Sequence, residues 1–260
     1  MKQRLAIASL LVGAVFLATP VDAGLVDAEI KQVQAAPAPD AALPLDTGFV
    51  DETGRDMTLR NAIGQLPSIL IFADYTCRTL CGPVLEFAGA GLGNTGLKPG
   101  VDYRLVVIGI DPRDKPTAAK AMHREHVVNE NAAFLTGDEA AIRSVTQAAG
   151  LHYHYDAEHD QYAHPAAVYV VDADGRVRRV LSPLGLDGAD LRLAIVDAGR
   201  GAVGTLADRI HLLCYGYDPV RGIYTERITT MLSFAAGLTL VLLLASISLM
   251  AIRQRRSMSS

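Results

Sequence analysis

Two kinds of pattern alternate along the chain: unbroken apolar runs, and segments in which apolar residues return every three or four positions. The runs "SILIFA", "YRLVVIGI", "AFLTG" and "AAVYVVD" are short and rich in branched residues, which predicts buried strands. Helical spacing follows each of the first three. It runs from Cys77 through about Leu92, over "TAAKAMHREHVV" with its start signalled by Asp114 and Pro116, and over "DEAAIRSVTQAA" closed by Gly150. A last helix is expected from about Asp187 to Ala198. "GFVDETGRDMTL" reads as a hairpin turning at Glu52-Thr53-Gly54, and "DADG" as a turn from the strand "AAVYVV" into "RVRRVL". "GAGLGNTG" reads as a glycine-rich loop after the first helix, without the strand and spacing of a dinucleotide fingerprint.

Strands alternating with helices call for an α/β sheet covered on both faces, because parallel strands need helical crossovers. A cysteine pair directly after an early strand of such a domain points to a thioredoxin-like central sheet with flanking helices. The folded domain is expected over residues 46–200.

The ends have a different pattern. Residues 1–23 have a basic start, an apolar centre and small residues at Val21 and Ala23, the plan of a cleaved secretory signal. Residues 24–45 are rich in proline and alanine and read as a linker. Residues 201–227 form a membrane-proximal segment. Residues 228–252 carry no charge and exceed the roughly 20 residues that cross a bilayer, so a C-terminal transmembrane helix is expected there. Arg253, Arg255 and Arg256 then hold the tail, 253–260, in the cytoplasm. The domain would face the periplasm of a bacterium, anchored in the inner membrane.

Composition adds little except by exclusion. A net charge of −4 without a basic stripe excludes nucleic acid as a partner. Three cysteines in 260 residues make any pairing informative. Cys77 and Cys81 stand four positions apart in "DYTCRTLC", a spacing that brings two side chains to one face of a helix. The pair can close as a disulfide or open around a metal, and a helix N-terminus beside Arg78 favours thiolate for either use. An inert disulfide is the plainer reading of an exported pair, but so short a loop constrains little of the unfolded chain.

Two thiolates leave most ions short of ligands. The histidines cluster in "LHYHYDAEHDQYAHPAAVYVV". In a thioredoxin-like fold the loop before that final strand lies against the start of the cysteine helix, which makes His164 the third donor. His152 and His154 alternate along a strand and read as surface or packing residues, and His159 as a solvated loop residue. Two thiolates with one imidazole suit copper in either oxidation state, whereas zinc usually takes a closed fourth ligand.

The ordered set "FADYTCRTLC", "VVIGIDPRDKPTAAKAM", "FLTGDEAAIRSV" and "YAHPAAVYVVDADGRVRRVL" resembles the SCO/SenC family of copper chaperones for cytochrome c oxidase assembly. The resemblance covers roughly residues 45–200. It implies one copper ion, Cu(I) or Cu(II), per domain, held by Cys77, Cys81 and His164. It also implies delivery to the copper centre of oxidase subunit II or a similar membrane-bound acceptor, with an upstream copper donor and a thiol reductant as further partners. The chain departs from the family at Arg78 and Gly82, where many members have proline, and at Ala163, where an acid often precedes the histidine. Its tail, with Cys214 beside Tyr215, Tyr217 and Asp218, resembles a tail-anchored bacterial subgroup.

A second reading uses Cys77 and Cys81 as a redox-active pair, in a thiol-disulfide oxidoreductase that reduces the acceptor's cysteines. A Cys-x-x-Cys spacing is more usual for that chemistry, and simple exchange does not require His164. The first reading makes the chain a binding protein; the second makes it an enzyme.

Overall fold

All six residues of the run Ser68–Ala73 are buried, as an unbroken apolar strand requires when both of its faces are covered. A computed structural model describes residues 33–77, 81–126, 131–157, 160–199, 202–218 and 222–226, with 233, 236–243 and 246 beyond them. For Cys81 and Cys214 it describes the backbone alone. The chain forms β1 (Gln34–Ala35), β2 (Gly48–Asp51), β3 (Asp56–Thr58), α1 (Leu59–Ile63), β4 (Ser68–Ala73), α2 (Cys81–Gly93) and β5 (Arg104–Gly109). Next come α3 (Pro116–Glu125), β6 (Ala133–Thr136), α4 (Glu139–Ala148), β7 (Leu151–His152), β8 (His154–Asp156) and β9 (Gln161–Ala163). The last elements are β10 (Val168–Val171), β11 (Val177–Leu181), α5 (Gly188–Ala198), α6 (Leu206–Cys214), β12 (Tyr215–Asp218) and β13 (Ile223–Glu226).

Seven strands make the central sheet in the order β11-β10-β4-β5-β6-β2-β3. Only β4, β5 and β6 run parallel; β10 is antiparallel to β4, and β2 to β6. The expected sheet is therefore present but mixed, because the hairpins β2–β3 and β10–β11 turn back at its two edges without a helical crossover.

Period two along the strands sorts the core into two layers. Ile69, Ile71, Leu105, Val107, Val168 and Val170 face one way, against Leu85 and Leu92 of α2 and Leu191 and Ile195 of α5. Leu70, Phe72, Val106, Ile108, Tyr169 and Val171 face the other, against Leu59 and Ile63 of α1 and Ile142 and Val145 of α4. Fully burying each such side chain contributes about 1.5–3 kcal/mol. At Gly91 a Cβ would lie 2.0 Å from the Leu186 carbonyl oxygen and 2.6 Å from Leu191 Cδ1. The first part of the glycine-rich stretch, to Gly93, is thus the last turn of α2, lying close against the start of α5, and only Asn94 to Gly96 form the expected loop.

The expected linker ends earlier than residue 45. β1 pairs with β7, Gln34 opposite His152, and Ala41, Leu43 and Leu45 are all buried. These three stand at alternate positions, a strand-like period that the surrounding proline and alanine obscure. The signal over residues 1–23 lies outside the described residues, as do the tail and most of the expected span 228–252. Among the described residues no helix is long and apolar enough to cross a membrane.

Candidate functional site

β4 ends at Ala73, and the chain turns at once. The buried Asp74 makes this turn: its Oδ1 accepts from the Thr76 amide at 2.9 Å and the Thr76 hydroxyl at 2.8 Å, while its carbonyl accepts from the Cys77 amide at 3.1 Å. Short polar side chains that capture nearby backbone N–H groups hold a chain out of helix. Cys77 accordingly sits in the turn ahead of α2, not on a helix that begins with it. The shared-face geometry expected of Cys77 and Cys81 does not apply as stated. Cys77 is half-buried against the first core layer, and Cys81 is the first described residue of α2. Arg78 lies outside the described residues.

His164 follows β9, far away in sequence, and two features bring its segment to the cysteine turn. β10 pairs with β4, Val168 opposite Ile71, so the chain entering β10 runs alongside the chain leaving β4. The second carboxylate oxygen of Asp74 accepts from the Tyr162 amide at 3.0 Å. One side chain thus ties the turn that presents Cys77 to the strand that leads into His164. The His164 Nδ1 lies 3.2 Å from the Pro165 carbonyl oxygen. Burial pushes this imidazole below its usual pKa, against smaller upward pulls from that carbonyl and from Asp74. A neutral ring keeps a lone pair for a metal, so the donor set fits a soft ion such as copper. His152 and His154 are exposed on β7 and β8, as expected of surface residues, and His159 lies outside the described residues.

The sequence reading missed a buried trio beneath the turn. Oxygens of Asp74, Asp111 and Asp114 lie within 4.8 Å of one another. Asp111 is held by Arg113, whose Nε and Nη2 donate at 2.9 and 2.7 Å, and Asp114 accepts from the Tyr75 amide at 3.2 Å. Asp114, expected to start α3, does not cap it; Lys115 stands at that position and Pro116 opens the helix. Burial first, then the neighbouring Asp111 and Asp74, push the Asp114 carboxyl up to about 7, against the Tyr75 hydrogen bond and Arg113. Backbone amides, a hydroxyl and a guanidinium donate to oxygens of all three carboxylates, which ties the turn to the loop after β5. Arg113 reaches on to Asp160 at 2.8 Å and lies over the Tyr155 ring, latching the β8–β9 hairpin to the same loop. "DPRD" contains two of the trio and the latch, but their meeting with Asp74 needed the parallel pairing of β4 with β5.

The chain after α5 also packs on the domain. The Tyr217 hydroxyl bonds the Val180 backbone, Arg179 lies 4.9 Å from the Tyr217 ring centre, and the Ser182 amide donates to Gly222 at 3.1 Å. β12 and β13 thereby shield the edge strand β11, a common defence of an open edge. Cys214 closes α6, and its side chain lies outside the described residues.

Comparison with known proteins bears on this arrangement. The SCO1/SenC family model matches residues 40–193. A putative electron transfer protein from Aquifex aeolicus VF5 superposes with a TM-score of 0.57 at 18% identity, covering 65% of this chain and 98% of its own. Arabidopsis thaliana ScoI, solved with copper bound, superposes with a TM-score of 0.52 at 21% identity, covering 63% and 99%. BsSco, described as a member of the Sco family of cytochrome c oxidase assembly proteins with a disulfide switch, superposes with a TM-score of 0.52 at 21% identity, covering 64% and 99%. No curated protein matches the chain. At these identities the structures establish the fold, while the family match extends over more than half of the sequence, from the packed segment before β2 to the middle of α5: the chain belongs to the SCO1/SenC family.

Proposed function

We propose that this protein is a copper chaperone for cytochrome c oxidase assembly, and that it carries one copper ion on Cys77, Cys81 and His164. The observation that carries this reading is the double role of Asp74, which shapes the turn presenting Cys77 and binds the Tyr162 amide two residues before His164. Family membership supports it, and the copper-bound plant ScoI supports the choice of cargo. In the proposed transfer, an acceptor's thiolates and imidazoles replace the three donors one at a time, so the ion never becomes free. A membrane anchor over residues 228–252, with the domain in the periplasm, would raise the local concentration of donor near a membrane-bound acceptor such as oxidase subunit II.

A second reading rests on the half-buried thiol of Cys77 and on the disulfide switch described for BsSco. Here the Cys77 and Cys81 thiols reduce an acceptor disulfide to two thiols and close as a disulfide themselves; a thiol reductant then restores them. One titration separates the two. Full-length protein in detergent is loaded with Cu(I) in its reduced and oxidised forms, beside Cys77→Ser, Cys81→Ser and His164→Ala. The chaperone reading expects tight binding of one copper by the reduced parent alone and its loss in each folded variant. Disulfide reduction that proceeds without copper and ignores His164 would establish the second reading instead.

A further inference from the structure

The edge strand β11 has one residue too many. Val170 of β10 stands opposite Arg179 and Val171 opposite Val177, so Arg178 has no residue across from it and forms a β-bulge. A bulge re-aims a side chain. On either side of Arg178 the outer edge of β11 is covered: the Val177 amide donates to the Ala41 carbonyl at 2.8 Å, and the Tyr217 hydroxyl holds the Val180 backbone. Here lies a cavity of about 330 Å³, lined by Ala35–Pro37, Val177–Val180 and Tyr217, with two arginines and no acid. Arg179 is engaged elsewhere: its Nη2 lies 2.5 Å from Asp197, its Nη1 donates to the Arg178 carbonyl at 2.6 Å, and its guanidinium rests over the Tyr217 ring. The Nε of Arg178, by contrast, is buried without a hydrogen-bond partner. A guanidinium with a donor to spare, beside a cavity without acids, is suited to an anion, and its planar fork matches the oxygens of a phosphate. The alanines, proline, valines and tyrosine ring around it suit an apolar body attached to that phosphate.

The cavity's place along the chain says which phosphate. Tyr217 stands opposite Tyr224 in the β12–β13 pair, and the expected span begins four residues later, at Ile228. Four residues reach at most about 14 Å and paired strands lie about 5 Å apart, so the Tyr217 wall is within about 20 Å of the point where the chain would enter the bilayer. We infer that the cavity beside Arg178 binds the headgroup phosphate of an anionic phospholipid and so docks the domain on the membrane next to its anchor. This rests on the anchor proposed above for residues 228–252 and is independent of the copper ligands.

The test uses the full chain as parent, Arg178→Gln and Ala36→Glu, the last placing an acid at an exposed position of the lining. Carbonate extraction of membranes shows whether the chain is anchored. Protein in a nonionic detergent is then titrated with phosphatidylglycerol, phosphatidylcholine or inorganic phosphate, and bound molecules are counted by native mass spectrometry. The parent is expected to bind one phosphatidylglycerol, and both variants to bind it about tenfold more weakly, with Cu(I) affinity unchanged in all three. Phosphatidylcholine should bind less well, because its choline brings a cation towards the arginines. Ala36→Glu keeps the test decisive if replacing Arg178 disturbs the bulge. Variants that hold phosphatidylglycerol as tightly as the parent would overturn the inference, and inorganic phosphate bound as tightly as the lipid would make the cavity a site for a free anion instead. An anchored parent that binds no phosphatidylglycerol would overturn the docking alone; a parent released by carbonate would overturn the anchor and the docking together.

Discussion

His164 and His126 approach the same cysteine segment from different parts of the chain, and they are held in different ways. His164 arrives on the antiparallel pairing of β10 with β4, its ring buried deeply enough to lower its pKa and its segment fastened through Asp74. His126 arrives at the end of α3, partly in solvent, its ring set by one carboxylate on the helix it faces. Burial and backbone pairing hold a ring's segment through several elements, whereas His126 depends on one carboxylate close to solvent.

The sharpest way to break this comparison is to remove the rings separately. On the copper site proposed above, His164→Ala should lower Cu(I) affinity at least a hundredfold in a chelator competition, while His126→Ala should leave it near that of the parent; equal losses would mean that the two rings serve alike. Asp74→Ala is the next largest perturbation. It strips the acceptor from the Thr76 and Tyr162 amides, and each buried donor left unpaired costs about 1–3 kcal/mol. Urea denaturation should show a loss of about 3 kcal/mol, and copper affinity should fall as the tie to the His164 segment is lost.

Asp114 gives a pH test of the clamp. Its carboxyl is raised to about 7 from an ordinary value near 3.8, so the folded protein binds the proton more tightly than the unfolded chain does. Stability contributed by the protonated form is present below the ordinary value and declines as pH rises through about 7. Asp114→Asn keeps an acceptor for the Tyr75 amide and removes the titration. It should stabilise the protein more at pH 8 than at pH 5, by on the order of 2 kcal/mol, allowing for the coupling of three carboxyls. An unchanged difference between the two pH values would mean that Asp114 ionises freely. Tyr217→Phe, on the far hairpin, is the smallest and serves as a control. Losing its bond to the Val180 backbone should cost about 1 kcal/mol, seen as faster amide exchange at Val180, with copper binding unchanged.

The strands were legible because their apolar runs are local: "SILIFA" and "AAVYVVD" mark β4 and β10 without reference to anything distant. The cysteine pair and the histidine-rich stretch were legible for the same reason, as residue types with strong chemistry close together. Asp74 and Asp114 were misread or passed over because their partners lie far along the chain, at Tyr162 and at Tyr75. Local rules gave Asp114 a helix to cap; the buried Tyr75 amide took its carboxylate instead. The linker was drawn too long because composition averaged away the alternating Ala41, Leu43 and Leu45.

What the sequence by itself determined is therefore the main strands and helices of the central sheet, the family and the residue types available for copper, all of which follow from short-range periodicity and motif. Tertiary structure alone decided that three aspartates meet beneath the cysteine turn, that Asp74 ties this turn to the strand before His164, and that a glycine at 82 makes room for His126. The physical reason is that hydrogen bonds and close contacts between residues dozens of positions apart are set by strand register and helix packing, which no local pattern encodes.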